Sequence, residues 1–269
     1  SRESTASGRT SNSADDGLRS WNIFGGVEQS FGNATFGVAG GYSRGSSFQS
    51  GTSALAESDV AQTAAYGVYR FDNDVYVSGL VGYGSSRTST ERTFAAGQLA
   101  YEMQGETDGE IFLASIEAGM NFDVSDNLMV TPNVSLRQQS MQLEGLTETG
   151  GETALQVSEQ SFDQMEARFG ARLSGEYRLA SGWTLSPSFD AAAVANLSGD
   201  ESGVWARFAA APDVPFYLPG AARDDLWGEV TGGLSFARDD TTFSLHMESS
   251  VERDELHEDR YMARYAQKF

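Results

Sequence analysis

The longest regular alternation in the chain runs from Ser161 to Leu179, SFDQMEARFGARLSGEYRL. Every second residue, Met165, Ala167, Phe169, Ala171, Leu173, Gly175, Tyr177 and Leu179, is apolar or small. Between them stand Gln164, Glu166, Arg168, Gly170, Arg172, Ser174, Glu176 and Arg178. Side chains on a strand point alternately to opposite faces, so the pattern predicts one strand with an oily face and an ionic face. Strands of soluble sheets usually stop after about 5–6 residues. An alternation this long suits a tilted strand crossing a bilayer, with lipid on one side and a watery lumen on the other.

The same grammar recurs along the chain. Ser1–Ser20 reads as a loop rich in Ser, Gly and Asp, with at most a strand stub in Ser1–Ser7. Trp21, Ile23, Gly25, Val27 and Phe31 then alternate, Gly32-Asn33 turns, and Ala34, Phe36, Val38, Gly40 and Tyr42 return. Further strand pairs follow at Asp59–Phe71 with Val75–Ser86 and at Glu110–Val124 with Leu128–Met141. In the first of these, Tyr66 with Val68 and Tyr69 with Phe71 compete for the outer face. Pro132 inside a strand predicts a bulge or a missing ladder bond. After the Ser161–Leu179 strand, Trp183–Ala195, Leu226–Phe236, Phe243–Val251 and a last strand ending at Phe269 complete the set.

Short turns of Gly, Asn, Asp and Ser alternate with longer connections at Arg44–Ser58, Arg87–Asp108, Gln142–Gln160 and Leu197–Arg223, and with a short acidic one at Asp254–Asp259. Outer-membrane barrels have this asymmetry, with tight periplasmic turns and long extracellular loops. Aromatic residues stand near strand ends (Trp21, Phe31, Phe71, Tyr83, Phe122, Tyr177, Trp183, Phe236), as an interfacial girdle requires. About eleven strands are readable, and bacterial single-chain barrels take an even number. Parity therefore places a twelfth at the N-terminus, in or before Ser1–Ser7. The expectation is an all-β, antiparallel, up-and-down transmembrane barrel of 12 strands, with residues 1–20 as linker or first-strand stub and 21–269 as the barrel. A soluble sandwich or β-helix would show shorter strands and no such asymmetry.

Composition narrows this further. No apolar run approaches the roughly 18 residues that a transmembrane helix needs, and mean hydropathy is −0.36. A barrel survives that test because its lipid-facing residues are diluted by polar ones. The chain has no cysteine and opens on no signal peptide. The formal charge is −20 and the only lysine is Lys268, which excludes a basic nucleic-acid footprint. The acidity reads as loop solvation. Divalent cations bridging acidic loops to lipopolysaccharide would need a ligand pattern that the sequence lacks.

Candidate chemistry is sparse. His246 and His257 are the only histidines, and no zinc, phosphate-loop or nucleophile-elbow motif is present. The expectation is no enzyme, no metal and no cofactor. The inward charges say more: Glu117, Arg137, Glu166, Arg168, Arg172, Glu176, Arg178, Asp190 and Glu248 fall on polar faces with both signs. They describe a solvated lumen lining, or a mixed-charge conduit in which a polypeptide or ion slides without sticking. A barrel of about twelve strands would hold roughly one helix or one or two extended chains.

Three stretches, GVAGGYSRGSSF (Gly37–Phe48), AAYGVYRFDNDVYVSGLVGYGSSRTSTER (Ala64–Arg92) and FAAAPDVPFYLPGAARDDLWGEVTGGLSF (Phe208–Phe236), resemble the translocator domain of type V autotransporters. The ending DRYMARYAQKF (Asp259–Phe269) is similar to that family's terminal strand. The resemblance implies a twelve-stranded outer-membrane barrel that anchors an N-terminal passenger and helps export it through the lumen. It implies a monomer with loops outside, a periplasmic C-terminus, and contacts with outer-membrane lipid and lipopolysaccharide. It also implies recognition of the last strand by the β-barrel assembly machinery, and Tyr261, Tyr265 and Phe269 match that signal by position. The family usually threads a helix through the pore ahead of the first strand, and Ser1–Ser20 shows no such helix. The competing readings are a small porin-like pore and an adhesion barrel acting through its loops.

Overall fold

The computed structural model describes residues 2–6, 16–49, 54–96, 99–198, 203–220, 224–252 and 257–267. Twelve of its strands form one antiparallel ring. In chain order they are β1 (Arg2–Ala6), β2 (Asp16–Phe31), β3 (Ala34–Gln49), β4 (Ala54–Arg70), β5 (Val75–Ala96) and β6 (Leu99–Met120). They continue with β7 (Leu128–Leu143), β8 (Gln160–Gly175), β9 (Thr184–Asn196), β10 (Leu226–Arg238), β11 (Thr241–Val251) and β12 (His257–Gln267). Each pairs with its sequence neighbour, and the ring closes where β1 pairs with β12 and with β2. The first strand thus lies inside Ser1–Ser7. Below it, Arg264 of β12 reaches Glu28 of β2 at 3.6 Å, tying the two flanking strands together.

The exterior is the oily side. Val27 (73% exposed), Ile23 (65%) and Phe169 (62%) typify a band of apolar side chains on the outside of the ring. The buried residues include Thr131, Asn133, Ser135, Arg168, Asp190 and Ser244. A soluble fold of this size would bury its large apolar side chains instead. The inside-out distribution is what a bilayer selects, because lipid takes the place of the hydrophobic core. Tyr69–Phe71, Trp183–Phe243 and Phe243–Tyr265 form ring pairs near the turn end, and Trp21–Tyr42 pair farther toward the loop end.

The tight turns hold the left-handed backbone that such turns demand. Gly32, Asp74, Gly182 and Asp239 have φ of 58°, 63°, 83° and 50°. Tyr69 and Phe71 take the outer face, which leaves Tyr66 inside, where its hydroxyl donates to Glu28 at 3.1 Å. Pro132, lacking an N–H, lies beside the break at Asn121 that separates β6 from its continuation Phe122–Ser125.

Several strands run longer than the alternation indicates. β2 starts at Asp16, and the segments expected as loops at Arg44–Ser58 and Arg87–Asp108 are largely strand, paired Arg44↔Asp59 and Arg87↔Asp108. Above the membrane neither face of a strand meets lipid, so the ladder continues while its apolar signature vanishes. The result is a tall β5–β6 hairpin. Gln142–Gln160 and Leu197–Arg223 also contribute short strands, Leu146–Thr147, Leu155–Val157, Val204–Phe208 and Phe216–Leu218, which form a separate four-stranded sheet.

Leu245, 57% exposed and paired with Leu234 and Ala263, sits in the apolar band. Leu245→Arg should lower unfolding stability in lipid vesicles by about 2–4 kcal/mol, the midplane cost of an arginine on a barrel exterior. Equilibrium denaturation measures it, and an unchanged stability would mean that this face does not meet lipid.

Candidate functional site

The face of the ring opposite the apolar band is concave, and long side chains meet across it over strands that do not pair. Arg137 of β7 reaches Glu229 of β10 at 3.1 Å, with two strands between them. Arg168 of β8 is the hub. Its Nη1 donates to Asn133 Oδ1 at 2.7 Å, its Nε to Glu229 Oε2 at 3.2 Å, and its Nη2 to Asp190. The planar guanidinium suits this use, since its donors diverge in a fixed fork. Arg172 adds a contact to Asp190 at 3.4 Å, and Arg137 one to Glu166 at 3.9 Å. Arg168 and Asp190 are each only 4% exposed. An ion pair so placed loses much hydration and holds only if its remaining donors and acceptors are bonded. The Asn133 amide meets that need, donating to Thr131 O at 3.2 Å and Asp190 Oδ2 at 3.5 Å.

The rest of the interior follows the same rule. Tyr76 donates to Glu117 at 2.7 Å, Arg260 to Glu248 at 3.0 Å, and Glu28 receives Tyr66 and Arg264. In this set five guanidiniums face six carboxylates, so the wall is nearly neutral although the chain carries −20. The facing wall, on β2 to β5, is smoother: Gly26, Ala39, Ala64 and Gly82 align in one row. Gly37 leaves room for the Tyr66 ring, which a Cβ there would meet at 2.3 Å.

Of the charges singled out by sequence, Arg137, Glu166, Arg168, Arg172 and Asp190 come together in one network, while Glu117 and Glu248 lie outside it with their own partners. Glu176 and Arg178 do not join: both are exposed at the turn end, just beyond β8. There Tyr177 and Arg178 still pair with Leu185 and Thr184 of β9, and Glu176 N donates to Asn127 O at 3.1 Å, so both charges sit at the turn end of the wall, away from the hub. Sequence reasoning passed over Glu229, Asn133 and Arg260. Glu229 alternates with Gly228 and Val230 on a strand already recognised, so parity alone would have found it. His246 is half-buried on the inner face opposite Gly233. Among the described residues no group of three His, Asp or Glu side chains could hold a metal. Tyr261 and Tyr265 stand on the outer face, 50% and 58% exposed. Phe269 lies outside the described residues.

A closed antiparallel ring, oily outside and charge-paired inside, defines a transmembrane β-barrel. Within that class the sequence profile of the autotransporter beta-domain matches residues 2–248, and the chain belongs to that family. The fold is similar to the translocator domain of the autotransporter NalP from Neisseria meningitidis, with TM-score 0.76 and 15% identity, covering 100% of this chain and 85% of that one. It is also similar to the beta domain of the Bordetella autotransporter BrkA (0.65, 15%, 100% and 96%). The transport unit of the autotransporter AIDA-I from Escherichia coli is a further match (0.59, 15%, 100% and 88%). At such identity the likeness is one of fold. No curated protein sequence matches the chain. The protein is an outer-membrane translocator barrel for passenger export, and its family is one of secretion barrels rather than catalytic domains.

Removing Arg168 while Asp190 stays buried and Glu229 largely so should be strongly destabilising. We expect Arg168→Ala to cost about 3–5 kcal/mol in equilibrium unfolding from micelles. The double variant Arg168→Ala/Asp190→Ala should cost clearly less than the sum of the two singles, since both lose the same contact. Additive losses would show that the two groups do not act together.

Proposed function

We propose that the barrel interior is the conduit for the passenger, and that its wall works by having satisfied its own charges. The network centred on Arg168 carries this reading. A translocating polypeptide brings side chains of every kind past a fixed wall, and each unpaired buried charge on the wall would bind the opposite sign tightly. A guanidinium already bonded to Asn133, Asp190 and Glu229 has little left to offer. The lining therefore stays polar enough to remain wet and self-neutralised enough not to grip. Glu117, Glu166, Arg137, Arg172 and Glu248 serve the same end, while Glu176 and Arg178 meet the passenger only where it enters.

The short turns at Gly32-Asn33, Asp72–Asp74 and Ala180–Gly182 face the periplasm in this reading, together with the C-terminus. The tall β5–β6 hairpin and the separate loop sheet face the cell exterior, in line with the short-turn, long-loop asymmetry of such barrels. The outer band meets lipid and lipopolysaccharide. The last strand, through Tyr261, Tyr265 and Phe269, is the segment that the β-barrel assembly machinery recognises.

An epitope placed ahead of the barrel in the full precursor, probed by protease added to intact cells, tests the export reading. Cleavage from outside is the expected result. Protection until the outer membrane is opened would favour a plain pore. Deleting Phe269 should independently reduce folded barrel in the membrane severalfold while leaving synthesis unchanged, read by heat-modifiable electrophoresis. Full assembly without it would remove the terminal-strand signal from the account.

A further inference from the structure

The sheet built from the two outer loops is fixed at one edge and open at the other. At the fixed edge Gln104 and Thr149 exchange backbone hydrogen bonds of 3.0 and 2.8 Å. Arg92 clamps Glu148 through bonds of 2.8 and 2.6 Å and donates to Thr153 O at 2.6 Å. Arg92, Met103 and Gly105 lie on the inner face of the tall hairpin, and the loop covers them: Met103 is fully buried and Leu146 packs over Gly105. The sheet therefore leans inward over the mouth of the barrel. At the far edge stands Phe216–Leu218, which pairs with Val204–Phe208 and, among the described residues, with no strand on its other side.

Hydrogen bonding tells which groups look out from that edge. Ser158 N donates to Trp205 O at 3.0 Å and Ala209 N to Ala154 O at 2.7 Å. Trp205 thus turns its backbone toward Leu155–Val157, and Ala206 turns toward Phe216. Alternation then points the backbone of Phe216 and Leu218 inward to their partner strand and that of Tyr217 outward. Trp205 and Tyr217 become a non-hydrogen-bonded pair, whose side chains lie close, and their ring centroids are 5.3 Å apart. The next outward positions on either side are 215 and 219, and both are proline. The open edge thus offers one N–H, at Tyr217, where a strand without prolines would offer three. Proline at an edge is a known means of blunting strand addition.

We infer that Pro215 and Pro219 keep the rim of the exit from capturing the exported chain. The inference rests on the translocator reading. A passenger leaving this pore is extended, has unpaired backbone groups, and passes under the sheet at the high local concentration of a tethered chain. An unblunted edge there would add it as a further strand by β-augmentation. The two prolines remove the donors that such a ladder needs while leaving the inner ladder to Val204–Phe208 untouched.

The test restores the donors in the full precursor with Pro215→Thr/Pro219→Thr, and separately with the two glycine replacements, so that the result does not depend on threonine packing. The barrel has no cysteine, so Tyr217→Cys gives a unique reporter against cysteines walked along a passenger cleared of its own. In the parent, cross-linking should stay near background while the passenger is exported. In both donor-restored variants it should rise by about tenfold or more at alternate passenger positions, the scale of two added backbone hydrogen bonds, and export should slow. Unchanged cross-linking with normal export would overturn the inference. Self-association of the purified variant barrels with passenger contact still at background would overturn it too, since the guarded partner would then be a second copy. Failure of the export reading itself would show separately, as a passenger inaccessible from outside in the parent.

Discussion

Inside lipid no water is available to satisfy a peptide group, so every N–H and C=O in the spanning region must bond within the protein. That constraint decides the rest of the architecture. A sheet can meet it only by closing on itself, which is why the pairing of Arg2–Ala6 with both β2 and β12 matters beyond its five residues. Closure also fixes which side chains share the inside. With the register set, Arg137, Arg168, Arg172, Asp190 and Glu229 converge on one concave wall, although they come from four strands.

The outward and inward faces then solve opposite problems. Outside, Val27, Ile23 and Phe169 need no partner because hydrocarbon surrounds them. Inside, the charges would be costly if left single, and Asn133 and Tyr76 are as necessary as the ions themselves, because they complete the bonding of Arg168 and Glu117. The same economy of exposed bonding groups recurs at the mouth. There the loop sheet is held by Arg92–Glu148 and its open edge is bracketed by Pro215 and Pro219. On the proposed reading, wall and rim both limit what a passing chain can hold on to.

Much of this was legible in the sequence, for one physical reason: two solvents on two faces write a period of two. Ser161–Leu179 and Phe243–Val251 show it plainly, and turn residues such as Gly32 and Asp239 mark where it reverses. The signal fails where the solvents become the same. Arg87–Asp108 reads as loop because neither of its faces meets lipid, yet its ladder to the membrane strands is unbroken. The loop sheet was invisible for another reason: its strands are two to five residues long and come from connections far apart in sequence. The convergence of Arg137 on Glu229 depends on curvature, which no local pattern records. Glu229 itself was readable by parity and was missed.

On the proposed reading the passenger passes along the inner face, and neighbouring residues of one strand distinguish that path from any other. Ser115 points inward beside Arg137, and Ile116, 55% exposed, points to lipid. A photoreactive amino acid placed at each position in turn, in cells making the full precursor, should give adducts with the passenger from 115 and none from 116. Equal labelling from both positions, or labelling from 116 alone, would contradict transit through this lumen.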